Sequence, residues 1–171
     1  RSVLVARPIS PSDAFSRWEA GQQLVLARLL HAVKSGQPPV LDDALASALR
    51  GTLRDATLDP AFKALVMAPP GEAYIAEQLD VVDPQRIHTV REQWRALLAE
   101  RLHDDWIWAW EAHQVSEGYR ASAAQAGQRA LANLALGLLC LQAVREGSAV
   151  WQGRAYQRFK DASNMTDRLG A

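Results

Sequence analysis

The four histidines are the residues most able to do chemistry here: His31, His88, His103 and His113. A zinc peptidase needs two histidines one helical turn apart with a glutamate between them, H-E-x-x-H, so that three side chains converge on one face. No such set occurs. Glu100 and His103 form a single Glu-x-x-His, half of what a di-iron bundle requires, and no second copy exists to complete it. Surface or capping positions are therefore the expected places for these histidines. Asp104 and Asp105 are adjacent carboxylates, but neighbouring helical positions point about 100° apart and cannot share a substrate. There is no G-x-S-x-G elbow, no glycine loop to cradle phosphate and no cysteine–histidine pair.

Trp106, Trp108 and Trp110 alternate along one stretch. On a helix that spacing scatters rings and points to packing between helices rather than a stacking platform. Arg154, Arg158 and Lys160 form a basic cluster, read as a solvated face or as one turned to a carboxylate. Cys140 lies in the apolar run LALGLLCLQAV; alone it can form no intrachain disulfide, and a core position is expected. No residue of this chain is assigned a catalytic, cofactor-binding or metal-binding role.

The elements that carry these residues are helices. From Asp83 to His113 runs the longest, with Asp83 as N-cap, Pro84 at the first position, and Ile87, Val90, Trp94, Leu98 and Leu102 on one face. Uninterrupted, it would extend about 45 Å, and Trp106, Ile107, Trp108 and Trp110 would spread apolar surface around its C-terminal half. Ahead of it, 1–10 is too short for an independent element. Ser12 or Asp13 is expected to cap a helix bearing Phe15, Trp18, Leu24, Leu26, Leu29, Leu30 and Val33, which stops at Ser35-Gly36. A second helix starts near Asp42 with Leu45, Leu49 and Leu53 on one side. Asp59-Pro60 opens a third, closed at Ala68 by Pro69-Pro70-Gly71, and Glu72–Leu79 reads as a fourth. Past Ser116 and Gly118, an alanine- and leucine-rich helix spans about Ala121–Arg145. Its internal Gly127 and Gly137 predict close helix contacts, since glycine there costs about 1 kcal/mol against alanine. A further helix bears Trp151, Tyr156 and Phe159, and Ser163-Asn164 begins another. No strand pattern is present.

Composition agrees with a folded helical chain: 49% hydrophobic and 22% charged residues over 171 positions, with formal net charge zero. A neutral chain has no global field for nucleic acid or anionic membrane, although the segment from Arg120 onward leans basic. No stretch is long and apolar enough to span a bilayer, and no signal peptide opens the chain. Its start at Arg1 fits a processed chain or a piece of something longer.

Three segments together carry a family resemblance: FSRWEAGQ at Phe15–Gln22, DPAFKALVMAPPGEAYIAEQLDVVDPQRIHTVRE at Asp59–Glu92, and SNMTDRLGA at Ser163–Ala171. In this order they resemble the first half of the C-terminal helical domain of the bacterial aminopeptidase N (alanyl aminopeptidase) family, zinc metallopeptidases of the gluzincin clan. The resemblance implies an all-α fold over 1–171, with antiparallel helix pairs in a right-handed armadillo- or HEAT-like superhelix. It implies a catalytic domain in the same polypeptide, zinc held there by H-E-x-x-H and a downstream glutamate, and peptides as substrates of the parent. The parent removes N-terminal residues with broad preference, including alanine, lysine, arginine and leucine. This segment would help to wall off the active-site cavity and control access to it, in the cytoplasm. The zinc-binding and amine-binding motifs of the family do not occur in this chain, so none of their residues carries over. The NMTD stretch, Asn164–Asp167, reads as a helix start capped by Thr166 or Asp167. A truncated solenoid also leaves an apolar face, through which the chain is expected to self-associate. The alternative is a freestanding helical-repeat module that binds a peptide or protein and has no enzymatic activity.

Overall fold

The computed structural model describes residues 11–171, with side chains for all of these except 11–15 and 17. The opening segment 1–10 and the core position expected for Phe15 lie outside the described residues. Nine helices follow one another within them, and no strand is present among the described residues. They are α1 (Pro11–Ser35), α2 (Asp43–Arg54), α3 (Pro60–Met67), α4 (Glu72–Ala76), α5 (Pro84–Arg101), α6 (His103–Ala112), α7 (Ala123–Glu146), α8 (Val150–Asp161) and α9 (Met165–Leu169). No helix among the described residues is long and apolar enough to cross a membrane.

Three aspartates set the starts of three helices, because a carboxylate can accept the backbone N–H groups that a first turn leaves unpaired. Asp42 accepts from Leu45 N at 2.9 Å, Asp59 from Ala61 N at 2.7 Å and Asp83 from Arg86 N at 3.0 Å. Pro60 and Pro84 occupy the first turn, where a missing N–H costs nothing. α1 is described from Pro11 onward, and the capping expected of Ser12 or Asp13 lies outside the described residues. Its far end stops at Ser35, with Gly36 left-handed at φ 73°. Arg86 of α5 clasps that end, donating from Nη2 to the carbonyls of Ala32 (2.8 Å) and Gln37 (2.6 Å). α4 is shorter than Glu72–Leu79, because Gln78 and Leu79 switch to tighter bonds onto Ile75 and Ala76.

The long rod is broken. Leu102, at φ −118° and ψ 26°, separates α5 from α6, although no proline or glycine stands there. The physical reason lies in a side chain entering the backbone ladder. The Trp106 indole N–H donates to the Leu98 carbonyl at 2.8 Å, while the Leu102 N–H shares that acceptor at 3.2 Å. The ladder resumes on the far side, where Trp106 N reaches Leu102 O at 2.9 Å. The expected covering of the C-terminal half holds: Trp106 and Ala109 are fully buried.

α7 is the helix around which the others gather, packing against α3, α5, α6, α8 and α9. Leu131, Ala132, Ala135, Leu136, Leu138, Leu139 and Ala143 are buried along it. Gly127 is there for close approach, since a β-carbon would come 2.9 Å from the Ala61 backbone nitrogen of α3. Gly137 is not. It is exposed, and nothing stands within 4 Å of the place its β-carbon would take. α7 ends in a Schellman turn, with Gly147 at φ 70°, Ser148 N bonded to Ala143 O and Gly147 N to Val144 O.

Candidate functional site

The structure disperses the candidate chemical residues. His31 and His88 are exposed, and His88 Nδ1 lies 2.9 Å from Glu72 Oε1. His113 is buried at the end of α6, with Nδ1 2.7 Å from the Ala109 carbonyl oxygen. A carbonyl only accepts, so Nδ1 carries the proton and the ring caps the helix end. Glu100 and His103 stand on opposite sides of the break at Leu102. Among the described residues, no three His, Cys, Asp or Glu side chains gather as a metal ion would need, so this part of the chain does not fit a zinc site. Cys140 is half-buried against the core, and burial pushes its thiol up, away from the reactive thiolate.

Asp104 and Asp105 diverge as their spacing requires. Asp104 is exposed, whereas Asp105 is buried and bridges α6 to α2. Its two oxygens accept from Arg50 Nε and Arg54 Nε, each at 2.8 Å. Arg50 and Arg54 lie one turn apart on α2, so both reach one carboxylate. Arg101 adds a second tie from the end of α5 to Asp43 at the start of α2.

The tryptophans also part company. Trp106 is sealed in the core, and Trp108 lies beneath Arg54 at 4.3 Å, with Lys63 at 5.8 Å. Trp110 meets Trp151 edge-on at 5.5 Å, and Arg154 covers both rings. Lys63 itself is almost wholly buried; desolvation draws its ammonium below the ordinary lysine range, against the pull of Asp55 and Asp59.

The basic cluster divides too, and one member belongs to a polar knot joining α7, α8 and α9. Arg158 Nη2 donates to Asp167 Oδ1 at 2.8 Å and to Asn133 Oδ1 at 2.9 Å, while Nη1 donates to Gln114 Oε1 at 2.9 Å. Arg129 of α7 pairs with the other oxygen of Asp167 at 3.3 Å. The N-cap of α9 is Asn164, which accepts from Asp167 N at 2.9 Å; neither Thr166 nor Asp167 is the cap. Asp167 points back into the protein instead, where two guanidinium groups hold it. The knot opens on a cleft of about 350 Å³, edged by Trp110, Arg154, Asp161 and Asp167.

Knot and cleft leave the outer side of the same helices apolar. α9 has no buried residue: Met165 is 65% exposed and Leu169 79%. α8 also exposes Tyr156 and Phe159, with Arg168 of α9 over the Phe159 ring at 5.8 Å.

A family described as a domain of unknown function (DUF3458_C) made of ARM repeats matches residues 6–171. The chain belongs to the DUF3458_C family. Within it, helical ARM repeats account for the all-α order of elements seen here. The chain is 34% identical over 161 residues to aminopeptidase N of Caulobacter vibrioides, covering 94% of this chain and 18% of that protein. With aminopeptidase N of Escherichia coli it shares 33% identity over 160 residues, covering 92% of this chain and 18% of the relative. Among solved structures, a crystal structure of Legionella pneumophila aminopeptidase A in complex with aspartic acid matches the fold with a TM-score of 0.76. At 21% identity, the match covers 94% of this chain and 19% of that one. This DUF3458_C chain therefore spans about a fifth of the length of these relatives, and its resemblance to the C-terminal helical domain of aminopeptidase N is borne out.

Proposed function

We propose that this chain, as one helical region over 1–171, is a non-catalytic wall segment of a zinc aminopeptidase that removes N-terminal residues from peptides. The observation that carries the reading is the extent of the match to the Caulobacter aminopeptidase N: nearly all of this chain, and less than a fifth of that protein. The residues support it from the other side. Their charged groups are engaged in holding helices together, as in the Asp105 clamp and the Asp167 knot, rather than converging on a reacting atom. In this reading zinc and the peptide-binding groups are supplied by a catalytic domain of the same polypeptide, working in the cytoplasm. The helices exclude bulky substrates from its cavity.

Three measurements test this. The purified chain with added zinc is expected to leave an alanine anilide intact. A chimera of the Escherichia coli relative, with its matching segment replaced by this chain, is expected to hydrolyse the anilide and still discriminate against long peptides. Deleting the segment should narrow the gap in kcat/KM between short and long substrates. Turnover by the isolated chain, or an unchanged gap after deletion, would overturn the proposal.

A further inference from the structure

We infer that the cleft between the end of α6 and α8 takes a short peptide free at both ends, its carboxylate at Arg154 and its ammonium at Asp161. This goes beyond the wall reading above and does not rest on it. The cleft holds about 350 Å³, which falls within the roughly 300–1,000 Å³ of small-ligand sites. Arg154, Gln157, Arg158 and Asp161 follow at three- and four-residue steps and form its α8 wall. Trp110, Gln114 and Val115, from the end of α6 and the turn after it, stand opposite. Both walls belong to helices packed on α7, so the cleft is a seam between neighbours within the fold. At about 100° per residue, Tyr156 and Phe159 lie on the far side of α8, roughly half a circumference away.

The charges argue for a ligand with two opposite ends. Arg154 lies over the Trp110 and Trp151 rings at 5.4 and 4.5 Å. Two indoles fix its guanidinium without neutralising it, and no carboxylate among the described residues pairs with it. Asp161 accepts from the neutral amide of Gln157 at 2.8 Å, and no cation among the described residues pairs with it. Arg158, between them, is engaged with Asp167, Asn133 and Gln114. One uncompensated charge of each sign therefore remains, at opposite ends of the same wall. The last carbonyls of α8 add negative potential near Asp161, which favours an ammonium there.

The spacing sets the length of the ligand. Seven residues of helix rise about 10.5 Å, and an extended peptide covers about 3.3–3.6 Å per residue. A peptide of about three residues spans that gap, and a free amino acid does not. Midway, the Gln157 amide nitrogen is spent on Asp161, which leaves its carbonyl to accept a peptide N–H. Trp110 and Val115 supply the apolar side for the middle residue.

The test follows the Trp110 indole N–H resonance of the isotope-labelled chain as Ala-Leu-Ala is added. The free tripeptide is expected to shift it saturably, while the indole of Trp106, sealed in the core, stays put. Amino-acetylated and carboxyl-amidated forms should each bind at least about 10-fold more weakly, since each lacks one charged end. Affinity for the free form should fall as salt is raised. Arg154→Gln should abolish the preference for the free carboxylate and keep that for the free amine; Asp161→Asn should do the reverse. Both residues are exposed, and circular dichroism checks that helix content is unchanged in each variant. Equal binding of free and blocked tripeptides would overturn the inference, as would an unmoved Trp110 resonance at millimolar peptide. Free leucine binding as tightly as the tripeptide would overturn it too, because one amino acid cannot reach both charges. All of these are readouts of binding to the chain by itself, separate from the anilide, chimera and deletion measurements that test the aminopeptidase reading.

Discussion

Lys63 shows how a single buried group makes stability depend on pH. Its ammonium is desolvated inside the fold, and in the unfolded chain it is hydrated. Between its lowered native value and the ordinary lysine value of about 10.4, the unfolded chain binds more protons than the native one. Stability contributed at this site therefore rises with pH across that window and is at its lowest, and constant, below it. Replacing Lys63 with methionine removes the titrating group while keeping the stem that packs beside Trp108. The variant is expected to have a higher urea midpoint at pH 7 than the parent chain. The alkaline rise of the parent should flatten in it, which urea titrations from pH 7 to 10.5 would read. Asp105 is a second buried charge, and its carboxylate is held by two arginines of α2. Neither site was visible in the sequence. Asp105 stands 55 and 51 residues from its partners, and nothing in the order DDW marks which aspartate turns inward.

At the scale of elements, the two internal glycines of α7 separate local preference from packing. At Gly137 the helix gains propensity from an added methyl group and meets nothing. Gly137→Ala is expected to stabilise by up to about 1 kcal/mol. At Gly127 the same change drives a β-carbon onto the Ala61 backbone and is expected to cost about 1–3 kcal/mol. Thermal unfolding of both variants checks the pair, and equal shifts would remove the distinction. In the sequence the two positions are alike, because composition carries no information on which side of the helix faces a neighbour. The sequence says more where one residue decides locally. Asp59-Pro60 and Asp83-Pro84 mark starts that the structure reproduces, since a carboxylate next to a proline satisfies the first turn without help from elsewhere. The break at Leu102 escaped notice because its cause is an indole eight residues away reaching the Leu98 carbonyl. Asn164, at the helix start that the sequence marks, is itself the cap, while Asp167 turns to Arg129 and Arg158, partners that lie on other helices and leave no local signal.

At the scale of the molecule, α7 is the packing partner of α3, α5, α6, α8 and α9, and its residues are made later than those of the first three. α1 to α6 precede it, with Ile87, Trp94 and Trp106 among the side chains they bury. Chains emerge from the ribosome at about 5–20 residues per second, so these segments spend several seconds in solution before α7 follows. Over that interval the faces that α3, α5 and α6 turn towards α7 stay wet, a stretch of time in which chaperones and proteases compete for them. A chain ending at residue 122 stands in for that moment. It is expected to unfold without a sharp thermal transition and to be cut by protease within α3 and α6, while the full chain resists. Birth order thus delivers the centre of this fold after the helices α3, α5 and α6 that pack on it, and assembly waits on α7.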